Sequence, residues 1–109
     1  MKLRDMSADQ ILEVLESRSD ELREAEEKTA GLEGAFKAFE ASSELAWRDS
    51  GKSMAEAEKR VRGSEDWLQH YLELQSAHVE AAEKKRAYKR AEDALRLWQT
   101  EQSTLRAIR

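Results

Sequence analysis

Three consecutive residues, Gly51, Lys52 and Ser53, have the types that end the phosphate-binding loop of nucleotide hydrolases. The full loop reads G-x-x-x-x-G-K-[S/T], follows a buried strand and opens a helix, so that its backbone N–H groups surround a phosphate. Here Ala46 occupies the first glycine position, and the preceding segment, KAFEASSELAW, has the composition of a helix. The three residues therefore predict a turn between two helices and no phosphate site.

The two histidines, His70 and His78, are the other residues that could take part in metal chemistry. If both lie on one helix, they are about 12 Å apart along its axis, too far for both to bind one metal ion at about 2 Å. The triplet His78-Val79-Glu80 matches part of the zinc-deaminase motif, but the chain has no cysteine to complete it. We predict no catalytic, cofactor-binding or metal-binding residues, and hence no enzymatic activity.

The composition predicts an all-α protein. The 109 residues include 39% charged and 39% hydrophobic residues, four glycines and no proline, which is typical of long helices and coiled coils. No apolar run approaches the roughly 20 residues that cross a bilayer. The absence of cysteine fits a reducing compartment. We expect one helical domain over residues 1–109, located in the cytoplasm and not in a membrane.

Capping signals divide the chain into two long helices and a short one, at about 8–50, 54–62 and 65–106. Ser7 with Gln10, and Ser53 with Glu56, have the capping-box spacing. Gly51 and Gly63 are suited to end helices, and Ser64 can cap the third one. The two long helices have similar lengths, so we expect an antiparallel hairpin, a coiled coil, with the short helix at its tip.

Each long helix carries an apolar stripe at spacings of three and four residues. In the third helix Leu68, Leu72, Val79 and Ala82 widen this stripe. Gly31 and Gly34 interrupt the first stripe without changing its phase, which predicts a kink or a close helix contact. Favoured i,i+4 ion pairs support both helices; they are Glu24–Lys28, Glu33–Lys37, Glu44–Arg48, Glu80–Lys84 and Glu92–Arg96.

A single hairpin leaves much of each helix in water, so its stability is marginal on its own. Association is the usual remedy. We therefore expect a homodimer that forms a four-helix bundle, or a hairpin that a partner protein completes.

Two charged stretches are candidates for binding a partner. Residues 84–109 hold eight bases against three acids, and the candidates for contact with nucleic acid or an acidic partner are Lys84, Lys85, Arg86, Lys89 and Arg90. We expect these bases to point in several directions around the helix, as on a solvated surface. In the acidic first helix Glu24, Glu26 and Glu27 could form a surface that mimics DNA, or a solvated face.

Four aromatic residues, Trp47, Trp67, Tyr71 and Trp98, are candidates for core packing or for partner contact. Trp47 and Trp67 flank the predicted turn, so we expect them to lie close together in a small core with the short helix. We place Trp98 toward the other end of the hairpin, opposite Leu15 or Leu22.

The tip GKSMAEAEKRV, the segment SEDWLQHY and the ending LRLWQTEQSTLRA resemble small helical coiled-coil proteins that tailed phages and prophages encode near homologous-recombination genes. The resemblance covers the chain from Ser7. It implies a non-enzymatic interaction protein in a bacterial host cell, which binds a phage recombination protein as an accessory. The alternative is an inhibitor of a host nuclease or CRISPR-type defence complex.

A second resemblance is to the secreted WXG100 proteins, which are helical hairpins with Trp-x-Gly at the turn. In this chain Trp47 and Gly51 are separated by two residues more than that motif allows. Tyr88 and Glu92 match the family's Tyr-x-x-x-Asp/Glu motif but are expected inside a helix. This resemblance implies a secreted hairpin as a further alternative.

Overall fold

The computed structural model describes residues 2–108, which form an all-α helical hairpin. A short 3-10 turn at Leu3–Asp5 precedes helix α1 (Ala8–Asp49), the tip helix α2 (Met54–Arg62) and helix α3 (Glu65–Ile108). These bounds lie within two residues of those predicted from the caps. No strand occurs among the described residues.

The capping residues explain where the helices begin. The Ser7 backbone N–H donates to Gln10 Oε1 at 2.9 Å, and the Gln10 N–H donates to Ser7 Oγ at 3.4 Å, which completes the predicted box. Ser53 Oγ accepts from the Glu56 N–H at 3.3 Å. Ser64 Oγ accepts from the Trp67 N–H at 3.2 Å. Each cap satisfies a backbone donor that the first helical turn leaves without a partner.

Gly51 produces the turn after α1. Its backbone φ angle is +96°, a value that residues with a Cβ atom rarely adopt. Its N–H donates to the Arg48 carbonyl at 2.9 Å, and the Lys52 N–H donates to the Trp47 carbonyl at 3.2 Å. Gly51-Lys52-Ser53 is therefore a helix-to-helix turn, as predicted.

Two compact units of packing make up the chain. The first combines residues up to Ala25 with residues from Ala81 onward. Within it Arg18 Nη1 donates to the Ala87 carbonyl at 2.9 Å, and Lys84 Nζ lies 3.3 Å from Glu21 Oε2. Because later residues of α1 meet earlier residues of α3, the two segments are antiparallel. The buried apolar side chains of this unit are Ile11, Ala25 and Ala91.

The second unit comprises residues 26–80 and includes the tip helix. Thr29, which is 8% exposed, donates from Oγ1 to the Ala77 carbonyl at 3.3 Å. Helix α2 buries Ala57 and Val61, which are 0% and 1% exposed. The short helix thus contributes to the core of this unit.

Alanine dominates the core. Four of the seven buried apolar residues in the described part of the chain are alanines, and Ile11 and Val61 are the largest side chains that are fully buried. Small side chains let helix backbones approach closely, but each one removes little apolar surface from water. The hydrophobic contribution to folding is therefore small for a chain of this length.

One of the two alternatives given for Gly31 and Gly34, and the predicted partners of several charges, are wrong. Gly31 and Gly34 are exposed, and a Cβ added at either position would meet no atom within 4 Å, so neither marks a close helix contact. Several charges predicted to pair along their own helix pair across the hairpin instead. The cross-helix pairs are Lys28–Glu80 at 3.5 Å, His78–Glu33 at 3.2 Å and Lys84–Glu21 at 3.3 Å.

Candidate interaction surfaces

The histidines make packing and hydrogen-bond contacts within the second unit. His70 stacks on Phe39, with 4.4 Å between ring centroids, and its Nδ1 donates to the Asp66 carbonyl at 3.0 Å. His78 Nε2 lies 3.2 Å from Glu33 Oε1. No group of three histidine or carboxylate side chains among residues 2–108 is arranged to hold a metal ion.

Four of the five candidate bases lie on one side of α3. Lys85, Arg86, Lys89 and Arg90 line a continuous surface depression beside Ala82. A helix turns by about 100° per residue, so these positions fall within about 140° of its circumference. We call these four residues the basic face. The expectation that the bases point in several directions is therefore wrong for this group.

Lys84 is the exception among the five bases. It points about 170° away from the centre of the basic face, toward α1, where it pairs with Glu21 at 3.3 Å. Its charge is already partly neutralised by this contact. Lys84 thus belongs to the hairpin's own packing and offers an internal control for the basic face.

The basic face has little internal charge compensation. None of its four side chains forms a salt bridge with any described residue, although Glu83 and Asp93 border it on the same helix. All four bases are exposed. Four like charges within about two helical turns attract anions and repel one another, which favours a bound polyanion.

The candidate acids Glu24, Glu26 and Glu27 are exposed on α1 and form no salt bridge with the described residues. Glu24 and Glu27 are three residues apart and point in neighbouring directions. Glu26 lies about 200° around the axis from Glu24. The three carboxylates are therefore available to a partner but do not share one side of the helix.

The aromatic residues after the turn form a cluster in the second unit. The Trp67 ring stacks on Tyr71 with 5.2 Å between centroids and contacts Phe36 at 5.6 Å. Trp67 Nε1 donates to Glu40 Oε2 at 3.1 Å. These contacts join α3 to α1 and give the indole both an apolar and a polar partner, as a partly buried tryptophan requires.

Trp47 and Trp67 have different ring partners. The Arg60 guanidinium lies 5.0 Å from the centroid of the Trp47 ring, a cation–π distance. Glu56 holds Arg60 at 3.6 Å and Lys52 at 3.8 Å. Trp47 remains 36% exposed, so the tip presents an aromatic ring beside several charges.

Trp98 is half-buried in the first unit, as are Leu15 and Leu22. Its degree of burial agrees with a packing role.

The described residues contain no helix with an apolar stretch long enough to cross a membrane.

The apolar stripe of α3 is only partly used within the hairpin. Leu74 and Ala77 are buried, but Leu68, Leu72 and Val79 are 49%, 52% and 59% exposed. These three residues belong to the part that widens the predicted stripe, and the hairpin leaves them exposed. The apolar stripe is therefore wider than the surface that one partner helix covers.

A scan against family models and searches of curated proteins and solved structures found no match to this chain.

Proposed function

We propose that this chain is a non-enzymatic helical interaction protein of phage type that binds DNA within a DNA-handling complex, as a recombination accessory. The observation that carries this proposal is the basic face, formed by Lys85, Arg86, Lys89 and Arg90, none of which forms a salt bridge with a residue of the described range 2–108. Side chains of this type neutralise phosphates and release condensed counterions. The working unit that we propose is a homodimer in the cytoplasm of a bacterial host cell.

The salt dependence of DNA binding tests this proposal. Each phosphate contact changes the slope of log K against log salt by about −0.9, so the four contacts of one basic face predict a slope of about −3 to −4, and about twice that slope if both subunits contact the same duplex. Fluorescence anisotropy with a labelled duplex of mixed sequence, titrated at several salt concentrations, measures this slope. The Lys84→Gln variant should bind almost as tightly as the wild type, because Lys84 faces Glu21. Absence of binding at low salt would contradict the proposal.

A second candidate function is inhibition of a host nuclease or CRISPR-type defence complex by an acidic, DNA-mimicking surface. The carboxylates of Glu24, Glu26 and Glu27 favour it because they are exposed and form no salt bridge with the described residues, although the three do not share one side of the helix. Under this reading the chain competes with DNA for the basic channel of the enzyme. DNA-binding by the chain itself is then not required.

Charge reversal separates the two functions. Changing Glu24, Glu26 and Glu27 to lysine should abolish inhibition of DNA degradation by a purified recombination nuclease, because like charges repel at the channel. Reversal of three other exposed acids, Glu13, Glu16 and Glu58, gives the same change in net charge and serves as the control. Equal loss of inhibition in both triple variants would remove the case for a specific acidic surface.

A further inference from the structure

The outer side of α3 in the second unit carries an unusual stretch for so polar a chain. The segment from Leu68 to Val79, LQHYLELQSAHV, contains Glu73 as its single Asp, Glu, Lys or Arg residue, whereas these four types make up 39% of the whole chain. A helix side that is meant to face water in this protein would carry several charges. The composition therefore indicates that this side is covered in the working protein.

The spacing of the exposed residues is that of a coiled-coil contact. Leu68, Leu72, Gln75 and Val79 are separated by four, three and four residues, the alternation of d and a positions in a heptad. All four are exposed, and the three apolar ones are about half exposed or more. Leucine at a d position and valine at an a position are usual at such a contact. We call these four residues the apolar seam.

The positions that flank the apolar seam also lack free charges. Gln69, Tyr71 and Ser76 are uncharged, and His78 is already engaged with Glu33 at 3.2 Å. In heterotypic coiled coils, charges at these positions select the partner. Their absence lets the apolar seam meet an identical copy of itself without like-charge repulsion.

The accessible surface of the chain exceeds that of a monomeric globular protein of the same mass. A monomeric globular protein of 12.6 kDa exposes about 6200 Å². This chain exposes 8205 Å², which is about 2000 Å² more. A standard protein interface removes about 800 Å² from each partner. One further copy of the chain can therefore remove a large part of the excess.

From these observations we infer that the apolar seam is the self-association surface, on which the seam of a second copy of this chain packs. This inference rests on the homodimer in the proposed function and specifies its contact. It is independent of DNA binding by the basic face. A two-fold axis would place the same seam on both subunits, as in most homodimers.

Sedimentation equilibrium of the full chain tests the inference. The wild type should have twice the mass of 12.6 kDa at micromolar concentration. Leu72→Glu should raise the dissociation constant by at least about 100-fold, because each subunit loses a buried leucine and gains a buried charge. Leu105→Glu is the matched control, since both leucines are 52% exposed. It should change the dissociation constant less than about threefold.

Gln75→Leu provides a change in the opposite direction. Replacing the polar member of the apolar seam should lower the dissociation constant by about tenfold while the mass stays that of a dimer; misfolding would instead lose the dimer or give larger species. A wild-type chain that stays monomeric would overturn both the homodimer and the self-association surface, and would leave the seam to a different partner. A dimer that Leu72→Glu and Gln75→Leu leave unchanged would overturn the self-association surface alone.

Discussion

Neutralising the basic face should reduce the affinity for DNA by on the order of a thousand-fold at about 0.1 M salt. The variant changes Lys85, Arg86, Lys89 and Arg90 to glutamine together. Glutamine keeps much of the side-chain length and the helix propensity but cannot release counterions from phosphates. Because the four side chains are exposed and form no salt bridge among the described residues, the helix should retain its stability. Anisotropy titrations of the variant and the wild type give the ratio.

The control for this result must have the same net charge. A second quadruple variant changes four exposed bases outside the basic face to glutamine, namely Lys37, Arg48, Lys59 and Arg62. If position matters, this control should lose much less affinity than the basic-face variant. Similar losses in the two variants would show that net charge alone governs binding, and the basic face would have no special role.

A charge placed in the core of the tip should detach helix α2. Val61 is 1% exposed, and Val61→Asp would bury a carboxylate without a partner. Such a change costs about 4 kcal/mol or more, which is comparable with the whole stability of a marginal domain. The helix should therefore leave the hairpin rather than keep the charge buried. Chemical denaturation measures the loss of free energy, and amide hydrogen exchange over residues 54–62 shows whether α2 opens first.

Met54 provides the matched control on the same helix. It is 60% exposed and lies in the first turn of α2, where an aspartate interacts favourably with the helix dipole. Met54→Asp should therefore change stability by less than about 0.5 kcal/mol. If Met54→Asp and Val61→Asp destabilise equally, Val61 is not part of a packed core.

Local signals in the sequence are sufficient to predict the helices of this protein. The caps at Ser7, Ser53 and Ser64 depend on residues three positions away. Gly51 could be recognised as the end of a helix because glycine tolerates the positive φ that other residues avoid. Helix bounds follow from such short-range contacts. The antiparallel hairpin then follows from two apolar stripes of similar length.

Contacts between helices could not be predicted in the same way. Lys28 and Lys84 each have a glutamate four residues before them, but they pair with Glu80 and Glu21 on the other helix. Which glutamate each lysine contacts depends on the rotation of each helix about its own axis. The positions of the apolar residues define that rotation only to within a wide range of angles. For the same reason, the width of the predicted stripe did not show that Leu68, Leu72 and Val79 stay exposed.

The basic face could have been recognised from helix geometry alone, because positions 85, 86, 89 and 90 have the spacing of one helix side. Lys84 obscured it, since including that residue made the charges look evenly distributed around the helix.

The sequence placed Trp47 and Trp67 on either side of the turn but did not predict which side chains each ring contacts. The ring contacts with Arg60, Phe36 and Tyr71 depend on side-chain rotamers that sequence spacing does not determine.

The alanines at 0% exposure, Ala57 and Ala91, limit how this sequence can vary. A smaller residue at either position could remove only one methyl group. Any larger residue would have to push two helices apart. Tolerance at these positions is therefore set by an upper bound on volume rather than a minimum of hydrophobicity. Related sequences could diverge widely in charge and surface chemistry and still keep the hairpin, provided that these sites remain small.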